Sequence, residues 1–235
     1  MSHVQKFARN VSGRDFVVGD IHGCFDALRL AMAGSGFDEG RDRLFSVGDL
    51  VDRGPSSEEA VDWIAQPWFH AVRGNHEQTA IGVAAGRHDQ ANYERNGGGW
   101  FLALDNYRQQ LTAQAFETLP IAIEIDHQVG RIGIVHADIW GGSWDEFTTE
   151  IAGELSNSRR HKMAEVALWS RSRIQALDDT GISDLFALFV GHTPVKAPLV
   201  LGNVAYIDTG AVFGNGLCMI DIARVQPTHG TSEAA

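Results

Sequence analysis

Short apolar runs alternate with stretches of helical spacing along this chain, and polar clusters fall at the joints between them. Phe16–Val18 is a buried-strand pattern that stops at Gly19. The following "CFDALRLAMAGSG" places Phe25, Leu28 and Met32 on one face at helical spacing. "RLFSV" (43–47) predicts a second strand, Pro55 and Ser56 suit a helix start, and "SEEAVDWIAQ" reads as the helix. "FHAV" (69–72) predicts a third strand and "QTAIGVAAG" a third helix. Strands alternating with helices imply parallel pairing through right-handed crossovers, so the expected class is α/β. The polar clusters then lie at strand C-terminal ends, the usual ligand face of such a sheet.

The pattern changes over residues 88–120, which are helical after a glycine-rich break and read as a small cap. "NGGGWF" (96–101) is expected to be its hinge, with Trp100 as an apolar anchor. "IAIEI" (121–125) and "RIGIVH" (131–136) predict a hairpin around Gln128–Gly130. A polar helical stretch follows, then a strand ending in "GHTP" (191–194). "VAYIDTGAVF" and "GLCMIDIA" predict a last hairpin around Gly214–Gly216, and a frayed tail is expected over about 225–235. No repeat or linker divides the chain, so one domain over residues 1–235 is expected.

Composition narrows the partners. Of 235 residues, 44% are hydrophobic, enough for a sizeable core. Thirty acids against 19 bases give a net charge of −11, which argues against a nucleic-acid partner. An anionic substrate would need a local positive source. Two distant cysteines, Cys24 and Cys218, fit a reducing compartment. The N-terminal "MSHVQKFARN" is too short and polar for a signal peptide, and no run approaches the ~18 apolar residues of a membrane span. A soluble cytoplasmic protein is expected.

The positive source is suggested by the clusters themselves. Divalent ions want carboxylate, amide oxygen and imidazole. Asp20, His22, Asp49, Asn75, His136 and His192 supply that set, each at or just past an apolar run. In an extended Asp-x-His both side chains point the same way, so Asp20 and His22 are expected to grip one ion. A single carboxylate, Asp49, can bridge two ions, which would clamp a hydroxide and a phosphoryl oxygen together. Each cluster alone is an ordinary turn or helix start; five in this order are not. His3, His70, His88, His127, His161 and His229 match no cluster. Cys24 reads as a small hydrophobe, Asp138 as either a turn residue or an orienting group, and Asp208 carries no assignment.

The motifs "GDIHG" (19–23), "GDLVDRG" (48–54), "GNHE" (74–77), "VHAD" (135–138) and "GHTP" (191–194) resemble the phosphoprotein phosphatase branch of the calcineurin-like metallophosphoesterases. The compact length, "WSRSR" (169–173) and "YIDTGAVFG" (206–214) look most like bacterial and phage serine/threonine phosphatases of the lambda-phosphatase kind. The resemblance implies a four-layer α-β-β-α sandwich with mixed sheets and a small helical cap. It implies two divalent ions, manganese ahead of iron, zinc or nickel, and removal of phosphate from phosphoserine and phosphothreonine proteins by direct attack of a hydroxide bridging the ions. Asp20 and His22 would bind the first ion, Asp49 would bridge, and Asn75, His136 and His192 would complete the second. His76 would be the general acid with Asp52 orienting it. Arg53, Arg171 and Asn75 would hold phosphate, with Arg73 lining the same pocket. The rivals are a symmetrical dinucleoside tetraphosphate hydrolase and a metal-free scaffold of the same fold. "GDLVDRG" favours the phosphatase, because Asp52 is commonly absent from the hydrolases. Thr193–Pro194 after His192 also depart from the G-H-x-H pair usual in phosphodiesterase branches.

Overall fold

The computed structural model describes residues 3–153 and 158–225; the expected tail beyond Val225, with His229, lies outside them. In chain order the strands are β1 (Val4–Phe7), β2 (Asp15–Val18), β3 (Arg43–Ser46), β4 (Phe69–Ala71), β5 (Ala122–His127), β6 (Gly130–Val135), β7 (Ala187–Val190), β8 (Leu199–Leu201), β9 (Val204–Tyr206) and β10 (Met219–Asp221). The helices are α1 (Phe25–Ser35), α2 (Ala60–Ile64), α3 (Asn75–Ala84), α4 (Gln90–Tyr93), α5 (Gly99–Leu102), α6 (Asn106–Glu117), α7 (Trp144–Ile151), α8 (Ser158–Trp169) and α9 (Ser172–Ala176). One sheet runs β1-β5-β6-β7-β9-β8 and the other β10-β2-β3-β4, and both are mixed.

The predicted parallel trio β2, β3 and β4 is present in register, with Val18 opposite Ser46 and Ser46 opposite Ala71. Its strands read as unbroken apolar runs because both faces are covered. Period-two alternation divides them: Phe16 and Val18 pack outward against helices, while Val17 faces the other sheet. Ile123, Ile125, Ile132, Ile134 and Phe189 meet Val17 and Phe45 from the opposite sheet. On that sheet's outer side Val135, Leu188 and Val190 pack with Trp144, Phe147, Ala164 and Leu168 of α7 and α8. Three apolar layers therefore separate four structural layers, helices–sheet–sheet–helices, as the motif resemblance implies.

The helix expected from "CFDALRLAMAGSG" is α1, and Phe25, Leu28 and Met32 are its buried residues. Gly36 closes it in the left-handed conformation, donating to Ala33 O. Residues 88–120 contain α4, a wider-wound turn over Glu94–Gly98, α5 and α6, the last packing against α2 and α3. The β5–β6 hairpin is present, with His127 opposite Gly130.

The final hairpin is not. β9 stays in the six-stranded sheet, between β7 and β8, whereas β10 lies antiparallel to β2 in the other. Between them, Gly210 and Gly214 turn the chain in left-handed conformations on either side of a short 3-10 helix, Ala211–Phe213. This crossing carries residues 207–218 over the strand ends. β1 had no apolar alternation to betray it; its parallel partner β5 supplies the pairing.

Candidate active site

Every cluster identified by sequence, apart from Arg73, faces one region at the C-terminal ends of β2, β3, β4, β6 and β7. The backbone there is unusual. Among the described residues seven non-glycines have positive φ, and His22, Asp49, Asp52, Arg53 and His192 are five of them. Such conformations are costly and concentrate at functional sites. His22 at φ 46° is not extended, so strand alternation does not bring it to Asp20. A left-handed turn, after the strand has ended at Val18, aims its Nε2 at Asp49 instead.

Asp49 is the hub. Its Oδ2 lies 3.4 Å from His136 Nε2, 3.6 Å from His22 Nε2 and 3.9 Å from His76 Nε2. Its Oδ1 accepts the His76 backbone N–H at 3.0 Å. Two trios result, His22–Asp49–His76 and Asp49–His136–His192, each with ligand atoms within 4.8 Å of one another. Asp20 belongs to neither; both its oxygens accept the His192 backbone N–H, at 3.0 and 3.2 Å. Glycine at 74 is needed because a Cβ there would overlap both the side chain and the backbone of Asp49.

The donor set fits divalent ions. His22 Nδ1 and His136 Nδ1 each lie 2.8 Å from a backbone carbonyl, of Val51 and Val47. A carbonyl only accepts, so each Nδ1 carries the proton and each Nε2 is turned inward toward Asp49. Asn75 presents its amide oxygen, 2.9 Å from both His136 Nε2 and His192 Nδ1. Three acceptors so close repel one another unless a positive charge lies among them. The electrostatics agree. Burial holds His22 down at about 4 and His192 at about 3, leaving neutral imidazoles. Burial opposes charge on His136, but the Asp49 carboxylate outweighs it and holds this ring above its ordinary value. Burial, reinforced by Asp208 and Asp49, pushes Asp20 well above the usual carboxylate range. A dication bound among them would favour the ionised carboxylates and the neutral imidazoles together.

His76 sits differently. Its Nδ1 donates to Asp52 Oδ2 at 2.6 Å, and the pair is fully buried on the carboxylate side. Burial works against its charge, but Asp49 and then Asp52 raise it above the ordinary imidazole value. Arg53 NH1 lies 2.5 Å from His22 Nε2. Arg53, Asn75, His76, Arg171, Trp169 and His192 line a cleft of about 220 Å³. A larger groove of about 580 Å³ lies between α1 and α2, but its one cation, Arg29, is paired with Asp26 and Glu59. Size does not select the site; converging polar groups do.

Arg73 is a correction. Its guanidinium donates to Gln78 Oε1 and to the carbonyls of Glu117 and Leu119, at 2.9–3.1 Å. It satisfies the C-terminal end of α6 and does not line the cleft that holds Arg53 and Arg171. Asp138 is paired with Arg173 at 3.2 Å and caps the Ile139 N–H. Sequence reasoning missed three residues. Glu77 accepts the N–H groups of Asp49, Leu50 and Gly74 at 2.7–3.0 Å, tying the Asp49 turn to α3. Burial and Asp49 push it up to about 7, while those three donors favour its ionised form. The signal was its place three residues after Gly74, a capping-box position. Tyr93 and Trp100 both donate to Asp52, and no sequence signal marked them as polar partners.

The comparisons with known proteins agree with this geometry. The chain belongs to the calcineurin-like phosphoesterases, whose family profile matches residues 16–213. It is 36% identical over 214 residues to serine/threonine-protein phosphatase 1 of Salmonella typhimurium, covering 90% of this chain and 91% of the relative. It is 29% identical over 226 residues to the asymmetrical bis(5'-nucleosyl)-tetraphosphatase PrpE of Anoxybacillus flavithermus, covering 86% of this chain and 87% of that one. A protein serine/threonine phosphatase structure from Saccharomyces cerevisiae shares the fold, with a TM-score of 0.60 at 17% identity, over 87% of this chain and 70% of that one. The chain is thus an enzyme of a phosphoesterase family, and its buried histidine–aspartate clusters are able to hold metal. No helix among the described residues is long and apolar enough to cross a membrane.

Proposed function

We propose that this enzyme is a metal-dependent phosphomonoesterase acting on phosphoserine and phosphothreonine in proteins. Asp20, His22 and Asp49 would hold one divalent ion and Asp49, Asn75, His136 and His192 a second, manganese being the first candidate. Ions there supply Lewis-acid charge for phosphoryl oxygens and make a hydroxide available at neutral pH. The chain's own residues do the rest. Arg53 and Arg171 present planar donor pairs to the remaining phosphate oxygens. His76 gives its Nε2 proton to the departing alkoxide, and Asp52 holds the ring so that Nδ1 stays protonated and Nε2 points into the cleft.

One observation carries this reading: the 2.6 Å His76–Asp52 bond beside a cleft lined by two arginines. A poor leaving group such as a serine alkoxide requires that acid. The cleft, about 220 Å³ and lined by two arginines, has room for a phosphoryl group. At the rim Trp169 and Phe213 are 45% and 63% exposed, an apolar surface for a flanking peptide.

The tetraphosphatase relative favours a second reading, hydrolysis of dinucleoside tetraphosphates. A rate comparison among a phosphoserine peptide, para-nitrophenyl phosphate and diadenosine tetraphosphate separates the two. The expected order of kcat/KM has the peptide above the dinucleotide; the reverse order overturns the phosphatase reading.

Arg171→Ala should raise the inhibition constants of phosphate and vanadate by about tenfold or more, the loss of a charge-assisted hydrogen bond. Its effect on turnover of a highly activated aryl ester should be smaller. Unchanged phosphate inhibition would remove Arg171 from the substrate site.

A further inference from the structure

The glycine-rich stretch at 96–101 has a polar purpose beyond a hinge. Asp52 divides its two oxygens between different partners. Oδ2 takes the His76 Nδ1 proton at 2.6 Å. Oδ1 accepts two neutral donors, Tyr93 Oη at 2.9 Å and Trp100 Nε1 at 2.7 Å. Both come from residues 93–100, outside every sequence cluster. Tyr93 and Asp52 are buried, and Trp100 is half-buried. Trp100 is therefore more than the apolar anchor expected of it.

The local backbone is shaped to make these bonds. The wide turn Glu94–Gly98 separates the helix carrying Tyr93 from the one carrying Trp100, so that both side chains reach a single oxygen. Gly97 takes φ 101° directly against the Arg53 backbone, and a Cβ on Gly98 would enter the Tyr93 ring. Asp52 itself sits at φ 72°, with its N–H given to Ser57 Oγ at 2.8 Å. The carboxylate is thus fixed at three points, and its rotation about χ2 would break all of the side-chain bonds. Burial, with the Asp52 carboxylate next, pushes the Tyr93 phenol upward, so it remains a donor.

We propose that Tyr93 and Trp100 are positioning residues for leaving-group protonation: their two hydrogen bonds lock the Asp52 carboxylate so that Oδ2 aims His76 into the cleft. Docking of residues 88–102 thereby becomes part of the acid's geometry. This rests on the reading of His76 as the acid.

The test uses the full metal-loaded chain as wild type, Tyr93→Phe, Trp100→Phe and His76→Asn. Phenyl phosphate, with a poor leaving group, is compared with dinitrophenyl phosphate, which needs no acid. Each positioning variant should lose about tenfold in kcat on phenyl phosphate, the loss of one hydrogen bond to a charged group, with KM and metal content held within about twofold. The dinitrophenyl ester should show much less loss. In the wild-type proton–nitrogen spectrum the Trp100 indole N–H should be far downfield, and Asp52→Asn should return it toward the others. Equal losses on both esters would mean a merely structural role and overturn the proposal, as would no loss on either or an ordinary Trp100 resonance. If His76→Asn itself shows no dependence on the leaving group, the acid assignment fails. If only the two positioning variants lack it, the acid stands and this inference falls.

Discussion

Asp49→Asn should abolish measurable turnover and strip the enzyme of metal while leaving it folded. Asp49 is the residue common to both trios, with three imidazole nitrogens within 3.9 Å of one oxygen. Those imidazoles, acting against burial, hold its carboxyl well below the ordinary range, so it is a permanent anion inside the protein. Asparagine keeps the volume, keeps one acceptor for the His76 N–H and tolerates the left-handed backbone at φ 50°. What it removes is the charge. Loss of an outer hydrogen-bonding partner already costs 10–100-fold in metal affinity, and a direct anionic ligand should cost at least about 100-fold. Metal analysis after remetallation should find fewer ions per chain than in wild type, and kcat should fall by about a thousandfold or more. Thermal melts give an independent readout. A saturating ion at ~100 times its Kd stabilises the native state by ~2.7 kcal/mol, so manganese should raise the wild-type Tm and leave that of the variant nearly unchanged. Full metal content with full activity would end the metal-centre reading.

How much of this was legible depends on which physics set each element. Strand and helix positions from β2 to β4 follow from hydrophobic period alone, because β2 and β3 are buried on both faces and α1 has a single apolar stripe. β9 and β10 also have the right period, but their pairing is a choice between two sheets that no local pattern encodes. The glycines at 214–216 mimic a hairpin turn and instead let the chain cross. At the site, the residue types were legible because the donor chemistry requires them. The backbone that unites them was not. An alternation argument placed Asp20 with His22, whereas the structure uses left-handed turns at His22, Asp49, Asp52, Arg53 and His192. Arg73 shows the limit of adjacency: two residues from Asn75, it points the other way, to α6. Tyr93 and Trp100 lie 41 and 48 residues from Asp52, and look like ordinary core aromatics until their polar atoms are located.

His76→Asn should cut kcat on a phosphoserine peptide by about 10²–10⁴-fold with metal content intact. The geometry sharpens the question, because His76 Nε2 also lies within one of the metal-ligand trios. The partner of its Nδ1 sets it apart from the other histidines there. His22 and His136 give Nδ1 to a backbone carbonyl, a neutral partner that suits a ligand ring. His76 gives Nδ1 to a buried carboxylate, which favours a proton on Nε2 as well. A ring carrying both protons has no lone pair for an ion. Asparagine cannot supply a proton of that acidity, yet it can keep the backbone bond to Asp49 Oδ1 that anchors the start of α3. The loss should be large on alkyl and phenyl esters and small on dinitrophenyl phosphate, where the departing oxygen needs no proton. Loss of metal in the variant, or an equal fall on every ester, would make His76 a ligand or a structural residue. Retained metal with a loss that grows as the leaving group becomes poorer assigns it to the departing oxygen, on the side of phosphorus away from the attacking hydroxide.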